Sequence, residues 1–378
     1  MSFEADPVAL TQALVQINTI NPPGNEQAVC ETLMPLLQVA GYATQLFPFG
    51  EGRANLVATL PATERRHPAL VFSGHVDTVP LGAASWLFSP LAGEIENGRL
   101  YGRGSSDMKS GVAAMVVAAQ ELAALPERHA DITLVISAAE ETGSEGVAAL
   151  VQAEGPPGDC GLLIVAEPTD NYPMLGHKGA LWAELEFTGV TAHGAMPEQG
   201  ESALYKSCAA VELLRSSGFH SANHPLLGEA TFNVGYLHSG ANLNSVPDSA
   251  RVGLDLRTLP EQNHAVLLEE VRARLDDESL LIHPLVDLPA VCTDPNHPLM
   301  QLAFTLAEPL IGRRPEPQTA HYFTDASVLT AAYGDAATLI MGPGVMRLAH
   351  QTDEYCEVEA IEQCTTYFQA LGKTYLQR

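Results

Sequence analysis

Short apolar runs alternate with amphipathic stretches through the first part of the chain. Pro7 to Ala40 carries apolar positions at helical spacing (Leu10, Leu14 and Ile17, then Val29, Leu33, Leu36 and Leu37), and Asn21-Pro22-Pro23-Gly24 divides it into two helices. Asn55 to Leu60 reads as a short strand. Ala69 to Phe72 reads as a buried parallel strand that breaks at Ser73-Gly74 and presents His75 and Asp77 together, since residues two apart on an extended chain point the same way. Trp86 to Gly102 carries turn signals and predicts a small ribbon. Small residues crowd around Asp107, with Ser105 or Ser106 as the N-cap of an apolar helix from Val112 to Leu125. Ile132 to Ala139 is a further buried strand ending in Glu140-Glu141. A helix from Ser144 to Ala153 follows, then a strand from Gly161 to Ala166 that ends in Glu167.

From Gly179 the pattern changes to half-exposed alternation. Strands at 180–189, 231–237, 250–257 and 280–286 and helices at 201–216 and 261–275 give the order β-α-β-β-α-β, a ferredoxin-like arrangement. From Cys292 the α/β pattern resumes, with helices at 297–310, 324–333 and 359–376 and a strand at 338–341. The prediction is an α/β fold: a first domain of residues 1–178 and 291–378, with a mostly parallel sheet and helices on both faces, and an inserted α+β domain of residues 179–290.

The chain has 378 residues, longer than one core usually grows. Its net charge of −26, from 19 basic and 45 acidic residues, argues against nucleic acid or an anionic membrane as a partner. The N-terminal stretch MSFEADPVALTQALVQI does not read as a signal peptide, and no run approaches the apolar length of a membrane span. Six scattered cysteines without a CxxC pair read as reduced thiols in a cytoplasm.

The predicted strand ends bring His75 with Asp77, Glu140 with Glu141, and Glu167 toward one sheet edge, where ligands bind in open α/β sheets, and a helix mouth offers Asp107 there; His75, Asp107, Glu141, Glu167 and His350 are the candidate ligands. Imidazole and carboxylate donors suit zinc or cobalt, and a shared Asp107 lets five ligands hold two ions about 3.5–4 Å apart with room left for water. A carboxylate beside His75, such as Asp77, fixes the ring tautomer. Glu140 is placed to take a proton from water and pass it to a leaving amine. Read singly, His75 and Asp77 are also a loop histidine and a turn cap, and Glu140-Glu141 a solvated pair.

Taken in order, Ser73-Gly-His75-Val-Asp77-Thr-Val-Pro80, Gly102-Arg-Gly-Ser-Ser-Asp107-Met-Lys-Ser-Gly111, Ala139-Glu140-Glu141-Thr-Gly143, Ala166-Glu167-Pro168 and Ala349-His350-Gln351-Thr352-Asp353-Glu354 resemble the co-catalytic zinc metallopeptidases that include acetylornithine deacetylase, succinyl-diaminopimelate desuccinylase, aminoacylases and glutamate carboxypeptidases. The resemblance implies that Asp107 bridges two ions, that His75 and Glu167 hold one and Glu141 and His350 the other, that Asp77 orients His75, and that Glu140 is the general base. It implies further that residues 1–178 and 291–378 form the catalytic domain, that the inserted domain is a lid and dimerisation domain, and that His193, in Gly189-Val-Thr-Ala-His193-Gly-Ala-Met-Pro197, stabilises an oxyanion from across the homodimer so formed. Asn244 and Arg257 would hold the substrate carboxylate, Gly344 would place backbone donors near the substrate, and Thr324 would line its pocket. The family's run of glycines before Thr324-Asp325 is replaced by His321-Tyr322-Phe323. The expected reaction is removal of an acetyl group from an N-acyl amino acid with two divalent ions, zinc or cobalt. A desuccinylase, a dipeptidase or carboxypeptidase, and a non-catalytic amino-acid-binding protein are the alternatives.

Overall fold

The computed structural model describes residues 6–218 and 222–378, so the first five residues of the N-terminal stretch lie outside it. The chain divides into two compact units. Unit one runs to Gly176 and resumes at Cys292–Ala320 and Thr324–Arg378; unit two is His177–Val291 with His321–Phe323.

Unit one is built on a six-stranded sheet in the spatial order Ala43–Gly50, Arg53–Leu60, Ile132–Ser137, Leu70–His75, Leu162–Val165, Ala337–Ile340. The last four run parallel, and the first two join antiparallel. The strands Leu70–His75, Ile132–Ser137 and Leu162–Val165 are buried along their whole length, which is why they read as unbroken apolar runs. The helices Pro7–Val15, Lys109–Ala123 and Val358–Leu376 pack on one another, and the latter two also lie against Leu70–His75. Parallel register pairs His75 with Ser137 and Ser73 with Val165, so these strands deliver their carboxyl ends to one edge.

Three local expectations are corrected. The strand does not break at Ser73-Gly74 but continues to His75. Gly74 packs closely there, where a Cβ would lie 2.7 Å from the flexible end of the Met108 side chain. The helix after Asp107 begins at Lys109, and neither serine caps it. Ser106 Oγ instead donates to the Tyr355 carbonyl (2.6 Å) and accepts from Val345 N (2.9 Å). The edge strand Ala43–Gly50 is absent from the elements that the hydrophobic pattern predicts. Its Pro48 disguises it, and an edge beside a bulge is where a sheet admits proline.

Unit two is a four-stranded antiparallel sheet in the spatial order Thr231–Ser239, Ser249–Thr258, Gly179–Thr188, Leu281–Leu288, with helices Ala203–Ser217 and His264–Leu275 packed on it. This is the ferredoxin-like order. Alternate residues of the central strands (Leu181, Leu185, Val252, Leu254) bury against Leu214, Leu267 and Val271. The Phe323 ring meets Trp182 edge-on at 5.9 Å, which accounts for the clustering of His321–Phe323 with unit two. Among the described residues, no helix is long and apolar enough to cross a membrane.

Candidate metal centre

His75 is the last residue of its strand and is 1% exposed. Its Nδ1 faces the Asp77 carbonyl at 3.1 Å and the Asp77 carboxylate at 3.4 Å. A proton held on Nδ1 leaves Nε2 with its lone pair free for a ligand. That Nε2 points at Asp107 Oδ1 (3.2 Å), with Glu167 Oε1 at 3.8 Å and Glu140 Oε2 at 4.0 Å. The other Asp107 oxygen, Oδ2, lies 3.5 Å from His350 Nε2, which is itself 3.0 Å from Glu141 Oε2. Asp107 therefore stands between two imidazoles and turns one oxygen to each. The ligand atoms of His75, Asp107 and Glu141 all lie within 4.8 Å of one another, and Glu167 and His350 flank that trio.

The electrostatics match this geometry. Burial drives the carboxyls of Glu140 and Glu167 well above their ordinary values, and neighbouring carboxylates add to the effect. Burial also raises Glu141, with Asp107 next to it contributing. Burial alone would depress His75, but its contacts with Asp107 and Asp77 lift it well above its usual range. Four carboxylates crowded into a desolvated site need cations, because buried charge is costly without a partner. Glu141 Oε1 is buried and has no hydrogen-bond partner. Carboxylate oxygens and imidazole nitrogens, one of the oxygens buried without a partner, fit a divalent cation.

Other contacts hold the site in ways the sequence did not disclose. Asp77 accepts hydrogen bonds from Glu140 N (3.1 Å), Glu141 N (3.3 Å) and Asn21 Nδ2 (2.9 Å), so the carboxylate that faces His75 also holds the Glu140-Glu141 turn. Asp325 is buried and accepts from Ser137 Oγ, at the strand end that precedes that turn. Asp325 belongs to the recognisable Thr-Asp loop, but only the fold reveals its partner; nothing in the sequence marks Asn21. Thr324 is buried, and its hydroxyl accepts from Ala326 N (3.0 Å) at the start of a short helix. Gly344 packs on the Ser106 carbonyl in the loop that bears Asp107 and leaves no room there for a Cβ.

In unit two, His193 and Asn244 come together. His193 bridges Ser245, and Gly194 N donates to the Asn244 carbonyl at 2.7 Å. The exposed His193 ring accepts from Ala195 N through Nδ1 (3.1 Å). Arg257 lies apart from them, on a central strand. Its guanidinium pairs with Asp255 at 2.9 Å and sits beside the rings of Trp182 and Phe323.

Comparison with known proteins agrees with this picture. The model of peptidase family M20/M25/M40 matches residues 71–374. A probable succinyl-diaminopimelate desuccinylase of Staphylococcus epidermidis is 29% identical, covering 99% of both chains. An acetylornithine deacetylase of Proteus mirabilis is 29% identical over 89% of this chain and 87% of its own. Among solved structures, an M20 family metallo-carboxypeptidase from Sulfolobus solfataricus superposes with a TM-score of 0.81 at 18% identity, covering 98% of this chain and 99% of the other.

Proposed function

The chain belongs to peptidase family M20/M25/M40 and is a metal-dependent hydrolase acting on amides, and from that premise we propose that it removes an acyl group, acetyl by preference, from an N-acyl amino acid. The observation that carries this reading is Asp107, whose two carboxylate oxygens face two different imidazoles. One divalent cation, zinc or cobalt, would lie among His75, Glu167 and Asp107, and a second among His350, Glu141 and Asp107. When bound, such ions polarise an amide carbonyl and make water acidic enough to attack at neutral pH.

The chain's own residues supply the rest. Glu140 takes a proton from the attacking water as its oxygen bonds to the carbonyl carbon. It returns that proton to the nitrogen as the C–N bond breaks, leaving a free amine and a carboxylate. His193 would donate to the oxyanion across a homodimer made by unit two, and Asn244 and Arg257, which lie apart within one chain, would receive the substrate carboxylate from different protomers. Thr324 and Gly344 would border the substrate. The six cysteines are free thiols, in keeping with a reducing cytoplasm.

Similarity to the acetylornithine deacetylase supports the acetyl preference. The end-to-end similarity to the probable desuccinylase supports a second reading, in which the acyl group is succinyl. Amine release from zinc- or cobalt-loaded protein decides between them, using N-acetylornithine, other N-acetyl amino acids, N-succinyl-diaminopimelate and dipeptides. Preference for acetylated amino acids is the expected result. Preference for the succinylated substrate or for dipeptides would replace the substrate and keep the mechanism, and silence across the panel with two ions bound would end the catalytic reading.

A further inference from the structure

We propose that the buried pair Arg103–Glu354 is a positioning device for the cation site at His350 and Glu141, holding the His350 loop at a set distance from Asp107; this rests on the two-ion reading above. Both side chains are almost wholly buried, at 2% and 0% exposed. Glu354 Oε1 accepts from Ser106 N (2.8 Å) and Asp107 N (2.9 Å), and Oε2 accepts from Gly104 N (3.1 Å) and Arg103 Nη1 (2.6 Å). The glutamate thus fixes the backbone that carries the shared carboxylate.

Arg103 spreads the same pair over two further segments. Nη1 also donates to the Gln351 carbonyl (3.2 Å), while Nη2 donates to the carbonyls of Pro80 (3.1 Å) and His350 (3.4 Å). The Trp86 ring covers the guanidinium at 5.2 Å. A planar five-donor fork can hold several carbonyls at fixed angles, and an ammonium cannot.

The two proposed cation sites differ in what else holds them. His75 and Glu167 are 1% and 3% exposed, and His75 is locked in a central strand. The His350 side chain is 53% exposed, and its backbone is left-handed (φ 63°), a conformation that costs a residue with a Cβ. Packing does not enclose that imidazole; its backbone is held by the Arg103 fork, through its own and the following carbonyl. Stability is a poor explanation for such a pair, because buried ion pairs seldom outperform apolar side chains of similar volume.

The test is zinc titration of the apo-protein against a chromophoric chelator, with the thermal midpoint of each apo-protein measured alongside. In Arg103→Lys the charge facing Glu354 and the Glu354–Asp107 contact are kept, and the fork is lost. One binding constant should stay within about threefold of wild type while the other weakens roughly 10- to 100-fold, and activity should return at raised zinc. In Glu354→Gln, which loosens Asp107 itself, both constants should fall. Unchanged constants in folded variants would overturn the proposal, as would equal weakening of both sites in Arg103→Lys. Failure of both apo variants to fold would also overturn it, making the pair a part of the fold alone. Wild-type protein that binds fewer than two ions would instead strike down the two-ion reading and this proposal with it, a failure the wild-type titration identifies before any variant is made.

Discussion

The Asp77 carboxylate faces the His75 imidazole on one side and receives the backbone N–H groups of Glu140 and Glu141 on the other. In Asp77→Asn one acceptor oxygen becomes a donor facing N–H groups. Metal affinity should fall by roughly 10- to 100-fold, measured by competition with a chelator. Glu140 makes the opposite prediction. Glu140→Ala should bind its metal as wild type does while kcat drops by about 10²- to 10⁴-fold, and full turnover in that variant would remove Glu140 as the base. His177, in unit two, is a buried group outside the candidate ligand set. Its Nδ1 donates to the Lys178 carbonyl, and burial pushes its pKa down from 6.5 to about 4. The unfolded chain therefore takes up the proton first. The stability associated with neutral His177 is complete above pH 6.5 and is lost as the pH falls toward 4, by about 3 kcal/mol in all. Denaturation of His177→Gln and wild type at pH 7 and pH 5 should show a steeper acid loss in wild type.

Two glycines show how elements pack around the site. Helix propensity alone predicts that Gly111→Ala in the helix Lys109–Ala123 gains about 1 kcal/mol. Its new Cβ would instead collide with the Ala166 carbonyl, next to Glu167. Because that obstacle is backbone, the variant should lose about 1–3 kcal/mol and bind metal less tightly. Gly74→Ala meets chiefly the flexible end of Met108, so thermal melts should rank it as the milder change. The elements that carry the chemistry are legible in the sequence because a buried parallel strand is a continuous apolar run and its polar residues follow directly, as Glu140-Glu141 follow Ile132–Ser137. The strand Ala43–Gly50 is not, since Pro48 reads as a breaker until its edge position is known. Partners far apart in the chain are hidden for a different reason. Ser137 and Asp325, or Arg103 and Glu354, meet only through the fold, and no local spacing encodes their pairing.

At the scale of the molecule, the candidate metal ligands belong entirely to unit one. Ligands that bind only the folded state stabilise it by mass action, by about 2.7 kcal/mol at a hundredfold excess over Kd. Calorimetry before and after chelation should therefore lower the transition of unit one by several degrees and leave that of unit two in place. A common shift of both transitions would mean that the two units unfold as one. The high acidity of the chain, with a net charge of −26, gives no comparable local signal and bears on solubility. The small segment His321–Phe323 has a different kind of consequence. Because it leaves unit one and returns within three residues, the chain passes between the units four times, not the two expected of a simple insertion. The inserted unit is thus not a cassette that can be excised at its ends. Cutting out 177–291 and joining the stumps would strand Phe323 without Trp182 and Arg257, and a graft of this unit onto another scaffold would have to bring along an aromatic thread from a separate stretch of the chain.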